Sequence, residues 1–253
     1  MGYFKSWADY YSFQLEVRLK QRYMRSKEAE SFLAAIKTTS KSRVQLLGEK
    51  RSFWRAQVGI TTRETEDDPY EIECAFPPER MKPLRGKATE GRANPRGIPY
   101  LYLATTKETA MSEVRPWIGA EISVAHFVTA RELQIVDCSR GHDALIPIFE
   151  TPKPEEVDDL AWAEIAKAFS KPTTQGDQTA DYVPTQIIAE LLKIEGYDGI
   201  AYKSQFGENG FNVVLFDIDD AYLVSCGIYK VKNIQMNFSQ QDNPYFCSRP
   251  KNL

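Results

Sequence analysis

The chain has 253 residues, 42% of them hydrophobic and 26% charged, an ordinary globular balance that excludes a disordered protein. Lys and Arg number 32 against 35 Asp and Glu, for a net charge of -3, so the basic excess of a dedicated nucleic-acid binder is missing. The cysteines (Cys74, Cys138, Cys226, Cys247) are far apart with no CxxC pair, and His126 and His142 are the only imidazoles, which leaves no zinc-type ligand spacing.

Residues 7–50 mix polar and apolar positions at helical period through SFQLEVRLKQRYM and EAESFLAAIK, with Pro absent until Pro69, and predict a helical lead-in. The start, MGYFKSWADYYSF, has no cationic segment leading into an apolar stretch, so no signal peptide is expected. No run approaches the roughly 20 apolar residues of a membrane span, and a cytoplasmic location is expected. RSFWRAQVGI alternates as a strand, with Trp54, Ala56, Val58 and Ile60 on one face and Phe53, Arg55 and Gln57 on a polar or cleft-facing side. Residues 61–99 are rich in Pro, Gly and charge without a clear period, and a connection this long is often functional. Their basic members (Arg80, Lys82, Arg85, Lys87, Arg92, Arg96) suit one small phosphorylated ligand, or form a solvated cationic loop.

PYLYLATT reads as a strand with Tyr100, Tyr102 and Ala104 on one face. It runs into a helix whose Thr105 and Glu108 have capping-box spacing and whose far end is marked by Pro116. ISVAHFVTA and LQIVDCS are two further strands. Residues 155–170 and 184–195 are helices, the second with Pro184 near its start and Gly196 past its end. Strands GIAYKS, FNVVLFD and AYLVSCGIYKV follow, and the tail from Asn237 is polar and frayed. Strands and helices segregate irregularly rather than as βαβ repeats, which predicts an α+β fold.

Glu113 falls at the edge of a helix face formed by Ala110, Val114 and Trp117. A carboxylate set against a core must be paired or functional, and an ion pair with Arg115 or Arg131 is the structural alternative. Ser204 ends a strand on the face of Tyr202 and Ile200, beside a loop whose Gly207 and Gly210 allow close backbone approach. The loop GRANPRG sets Arg92 and Arg96 just before a strand, where a guanidinium can grip a carboxylate or diphosphate. His126, inside an apolar strand, reads as a core histidine with ordinary partners. Neither phosphate-loop motif is present, nor is GxSxG.

Together these segments resemble the RES domain, named for its Arg, Glu and Ser. The family pattern runs from an early strand carrying an Arg, through a G-R-x-N-x-x-G loop into a strand with a Tyr. A helix bearing a Glu and a distant Y-x-S strand end complete it. Here the segments read FWRAQ, GRANPRGIPYLYLA, TTKETAMSEVRP and DGIAYKSQFGENGFNVVLF, with ten residues from Arg92 to Tyr102 and eleven from Tyr102 to Glu113. The resemblance covers about residues 50–230. Ala93 departs from it, since an aromatic usually follows the loop Arg, and the first 50 residues exceed the compact toxin form.

The resemblance implies a fold similar to ADP-ribosyltransferases: mixed sheets with surrounding helices. It divides the chain into a helical N-terminal extension over residues 1–50, the RES domain over 51–236 and a C-terminal tail over 237–253. It implies that NAD⁺ is a substrate rather than a resident cofactor and that its nicotinamide N-glycosidic bond is cleaved, with no metal. The catalytic set would be Glu113, Arg92, Tyr102 and Ser204. Glu113 would stabilise the oxocarbenium-like ribose, Arg92 would hold the diphosphate, and Tyr102 would stack on the nicotinamide or ribose. Ser204 would orient the leaving group. Arg55, as a second phosphate or structural cation, would join Arg92, Tyr102, Tyr202, Ser204 and Asn212 in binding NAD⁺. Water or phosphate is the expected acceptor; ADP-ribosylation of a macromolecule, or a non-catalytic NAD⁺ or nucleotide sensor, are the alternatives. Expected partners are a helix-turn-helix antitoxin or a second copy of the chain, with no membrane and no direct nucleic acid.

Overall fold

A computed structural model describes residues 3–65, 68–144, 152–171, 179–206, 210–236 and 238–240. Most of the C-terminal tail, expected to be polar and frayed, and Gly207 lie outside the described residues.

The chain opens with helices α1 (Asp9–Leu19) and α2 (Lys27–Thr39). Ser26 caps α2 by accepting from the Ala29 N–H, the role for which a short hydroxyl is suited. The helical lead-in ends there. Val44–Leu47, expected to be helical, is strand β1, paired antiparallel with β7 (Leu133–Asp137). Four residues of strand at a sheet edge leave too short a pattern to separate from the preceding helical period.

The expected strand at RSFWRAQVGI is β2 (Ser52–Val58). The stretch 61–99, read as irregular, contains a two-stranded ribbon of β3 (Thr61–Thr65) and β4 (Asp68–Cys74) and a short helix α3 (Pro78–Met81). Thr62, Arg63 and Glu64 of β3 and Glu71, Ile72 and Glu73 of β4 are exposed. A ribbon wet on both faces has no apolar alternation to read.

Next come β5 (Leu101–Ala104), α4 (Lys107–Glu113), β6 (Glu121–Thr129) and β7, each where the sequence predicts it. The cap of α4 is one residue later than predicted. Thr106 accepts from the Thr109 N–H, while the Thr105 hydroxyl is occupied by the Phe211 N–H across the sheet. Helices α5 (Val157–Ser170) and α6 (Val183–Ile194) then lead to β8 (Gly199–Lys203), β9 (Phe211–Leu215) and β10 (Ala221–Lys230).

Eight strands form one mixed sheet in the order β1-β7-β8-β9-β5-β2-β6-β10. Only β7 and β8 run parallel, and α5 and α6 form the crossover that parallel neighbours require. Alternation then sends each strand's residues to two cores. Val136, Ile200, Tyr202, Val214 and Phe216 meet α1, α2, α5 and α6 in the larger one. Ile188 and Leu192 of α6 are fully buried there, each worth about 1.5–3 kcal/mol of burial. The alternate residues Leu133, Ile135, Val213 and Leu215 join Ala125 and Phe127 of β6 in the second. Strands near opposite ends of the sheet order thus share one core, so the sheet curls upon itself. The fold is α+β, as predicted. No helix of the described residues is long and apolar enough to cross a membrane.

Candidate active site

The sheet parts at one seam. β2 pairs with β6 from Ser52 to Val58, and β5 pairs with β9 from Leu101 to Ala104, yet β2 and β5 share a single registered pair, Trp54 with Ala104. Where the ladder lapses, the backbone groups need other partners. The Arg55 guanidinium supplies one: its Nη1 donates to the Tyr102 carbonyl at 3.0 Å, bridging β2 to β5.

A cavity of about 340 Å³ opens at this split, near the lower end of small-ligand pockets. Trp54, Arg55 and Ala56 of β2, Tyr102 and Ala104 of β5, and Ala110, Glu113 and Val114 from α4 and its end line it. Glu90, Gly91 and Asn94 of the GRANPRG region contribute from the loop, and Tyr202 and Asn212 from β8 and β9. The predicted division of β2 into two faces does not hold here. Trp54 and Arg55 both reach the cavity, whereas Phe53 is buried in the second core.

Glu113, the last residue of α4, is exposed toward solvent rather than buried against the core, and Trp117 beyond it is 65% exposed. The carboxylate is oriented by two neutral donors. Ser204 Oγ donates to Glu113 Oε1 at 2.7 Å, and Asn212 Nδ2 donates to the same oxygen at 2.6 Å. Both bonds fall on Oε1; Oε2 accepts none from the described residues. Ser204 is itself held, accepting from the Phe206 N–H at 3.0 Å. Asn212 sits in register between Ala104 and Tyr202 across β5, β9 and β8, so strand pairing sets its position. Arg131, one of the ion-pair partners considered for Glu113, instead bridges Asp198 and Asp220.

The loop is tied as tightly. Tyr102 Oη donates to Asn94 Oδ1 at 2.7 Å and accepts from the Ala93 N–H at 3.0 Å. Asn94 Nδ2 donates to the carbonyls of Thr89 and Ile98. From α6, Thr185 Oγ1 donates to the Arg92 carbonyl at 2.6 Å, and Gln186 Nε2 donates to those of Gly91 and Asn94. A Cβ on Gly91 would lie 2.6 Å from Tyr102 Oη, so the close packing of ring on loop requires glycine. Ala93, where the resembled family has an aromatic, is fully buried. Burial pushes the Tyr102 and Tyr202 phenols well above the ordinary tyrosine range, keeping both neutral.

The two arginines divide differently from expectation. Arg55 lines the cavity, its Nε buried without a partner, and none of the described carboxylates pairs with it. Burial pulls its pKa down, as for a cation lacking a counter-ion. Arg92 is absent from the lining. Its Nη1 donates to the Phe169 carbonyl at 2.9 Å, satisfying an orphan acceptor at the C-terminal end of α5, where positive charge is favourable. Ser204 also stands outside the lining and reaches the cavity through Glu113.

His126 is only partly buried rather than a core residue, but it has the ordinary partners expected of it: its ring stacks on Trp54 at 5.5 Å and its Nε2 is 2.9 Å from Ser52 Oγ. Sequence reasoning missed Trp54, Glu90, Asn94 and Gln186. Trp54 adjoins Arg55, Glu90 lies two residues before Arg92, and Asn94 is the Asn of the loop motif, so a signal existed for those three. Gln186 is one of several polar residues on α6 and carried none.

The RES domain matches residues 68–233 of the chain. No curated protein matches it significantly. Among solved structures, the M. tuberculosis MbcT–MbcA toxin–antitoxin complex is similar with a TM-score of 0.38 and 14% identity, over 78% of this chain and 92% of that one.

Proposed function

The chain belongs to the RES-domain family, and from that premise we propose that it is a toxin-like enzyme that cleaves the nicotinamide N-glycosidic bond of NAD⁺. The observation that carries the reading is the Glu113 carboxylate, oriented by Ser204 and Asn212 at a cavity whose cation, Arg55, has no acidic partner among the described residues.

Departure of neutral nicotinamide leaves an oxocarbenium-like ribose. A carboxylate fixed beside that sugar stabilises the developing positive charge without reorganising at the moment of reaction. Two donors on Oε1 fix its direction, leaving Oε2 for the ribose. Arg55 suits the diphosphate, because an anion supplies the counter-charge and the missing hydrogen bonds together. Arg92, expected to hold the diphosphate, here takes the task of fastening the loop to α5. Tyr102, with its hydroxyl committed to the loop, offers its ring to the cavity, and Trp54 adds a second aromatic surface. A cavity of about 340 Å³ suits the nicotinamide riboside end of the dinucleotide rather than the whole. The toxin part of the reading implies growth arrest on expression, relieved by a helix-turn-helix antitoxin that covers the cavity.

The test is nicotinamide release from NAD⁺ by the purified chain, with Glu113→Ala beside it. Release by the wild type and a loss of about 100-fold or more in the folded variant are expected, the scale of preorganised charge stabilisation. Equal turnover by both proteins would remove the role of Glu113. Tight NAD⁺ binding without release would favour the sensor reading.

A further inference from the structure

The cavity holds a second carboxylate. Glu90 lines it from the loop that precedes Gly91, a different element from the helix that carries Glu113. It is half-buried, and none of the described residues forms a hydrogen bond or ion pair with it. Its backbone, in contrast, is held next to a fixed point. The Gly91 N–H donates to the Asn94 carbonyl, its carbonyl accepts from Gln186, and its α-carbon packs against Tyr102.

The two acids therefore stand in unlike situations. Glu113 Oε1 already accepts from Ser204 and Asn212, which commits the group to a fixed direction. Such a group suits steady charge stabilisation. Glu90 carries no such commitment, so its carboxylate can turn toward a water in the cavity and accept its hydrogen bond, the geometry a general base needs. A pair of carboxylates in unlike surroundings, serving one sugar, divides the labour in this way in glycoside hydrolysis.

We propose that Glu90 is the general base that activates the acceptor, and that the acceptor is water. This rests on the reading of the cavity as an NAD⁺-cleaving site. Among the described residues, the charged ones of the lining are Arg55, Glu90 and Glu113. Once Arg55 is matched by the diphosphate, the charge left on the described lining is that of two carboxylates, which repels an anionic acceptor such as phosphate and admits a neutral one. In the step, the bond from ribose C1″ to the nicotinamide nitrogen breaks and its electron pair leaves with nicotinamide. A water oxygen forms the new bond to C1″, and its proton passes to Glu90 and then to solvent. The products are ADP-ribose, nicotinamide and one proton.

The test uses the full chain with NAD⁺, with and without inorganic phosphate, and identifies products by mass. ADP-ribose alone is expected under both conditions. Glu90→Gln is expected to keep NAD⁺ affinity and Tm while kcat falls about 100-fold or more. In Glu90→Ala, added azide should restore nicotinamide release and yield the glycosyl azide, a rescue that a merely structural role does not give. Phosphorylated ADP-ribose as the product, or an unchanged kcat in Glu90→Gln, overturns the proposal while leaving NAD⁺ cleavage standing. Absence of nicotinamide release from the wild type overturns the underlying reading instead.

Discussion

Arg55 and Arg92 show how two arginines of one motif set acquire separate tasks. Arg55 has one hydrogen bond, to the Tyr102 carbonyl, and an unpartnered Nε at the cavity. Arg92 has its guanidinium on the Phe169 carbonyl, and its own carbonyl accepts from Thr185. Arg55→Gln is therefore expected to raise the KM for NAD⁺ about tenfold or more, since hydrogen bonds to a charged ligand are worth about 1.5–3 kcal/mol. Arg92→Gln should lower Tm with a smaller change in KM. Steady-state kinetics and thermal melts on the two variants separate the tasks; the reverse pattern would return the diphosphate to Arg92. The motif in the sequence presented both arginines, but the partner of each lies on another element, so only packing distinguishes them.

The loop around Gly91 is one structural element in energetic terms, although no regular secondary structure runs through it. Tyr102 from β5 and Thr185 and Gln186 from α6 hold it from two sides. Gly91→Ala would bring a methyl group against Tyr102 Oη and Asn94 Oδ1, forcing one of them away. Breaking a buried hydrogen bond and leaving a partner unsatisfied costs about 1–3 kcal/mol, and each kcal/mol shifts Tm by roughly 2–4 °C in a domain of this size. A Tm drop of several degrees is expected, with kcat falling further than in a remote substitution of equal cost, because the loop carries cavity-lining residues. Calorimetry and nicotinamide release on the same sample check both. The two helices beside the loop were legible from Pro184, Gly196 and their apolar period. Their hold on it was not, because Gln186 bonds across a sequence distance of more than 90 residues.

At the scale of the whole molecule, the N-terminal helices complete the larger core rather than standing apart from it. Tyr10, Phe13 and Val17 of α1 are buried in the cluster that contains Ile165, Ile188 and Ile200. Tyr11 donates to Glu164 of α5, and Arg18 pairs with Asp181 ahead of α6. These contacts make stability depend on tyrosine protonation. The hydrogen bond to Glu164, with some burial, pushes the Tyr11 phenol from 10.0 up to about 12, and burial does the same for Tyr100. In both, the folded state holds its proton more tightly than the unfolded state. Their stabilisation is thus complete below about pH 10 and is lost as pH rises toward about 12. Tm should be flat across neutral pH and fall through that window, with Tyr11→Phe reducing the steepness. A melting temperature that ignores pH between those limits would contradict the assignment.

The sequence by itself determined the α+β class, most strands and helices and the family resemblance, and through that resemblance it nominated Glu113, Ser204 and Asn212 as candidates. These follow from local periodicity, caps and ordered motifs, which neighbouring residues encode. The exposed ribbon β3–β4 and the short edge strand β1 escaped because neither carries an apolar period long enough to read. The parting of β2 from β5, the shared hold of Ser204 and Asn212 on one carboxylate oxygen, and the placing of Glu90 at the same cavity were decided by tertiary structure alone. Each depends on strand register and sheet curvature bringing distant residues within hydrogen-bond reach, and no local pattern specifies where a ladder of backbone bonds will lapse.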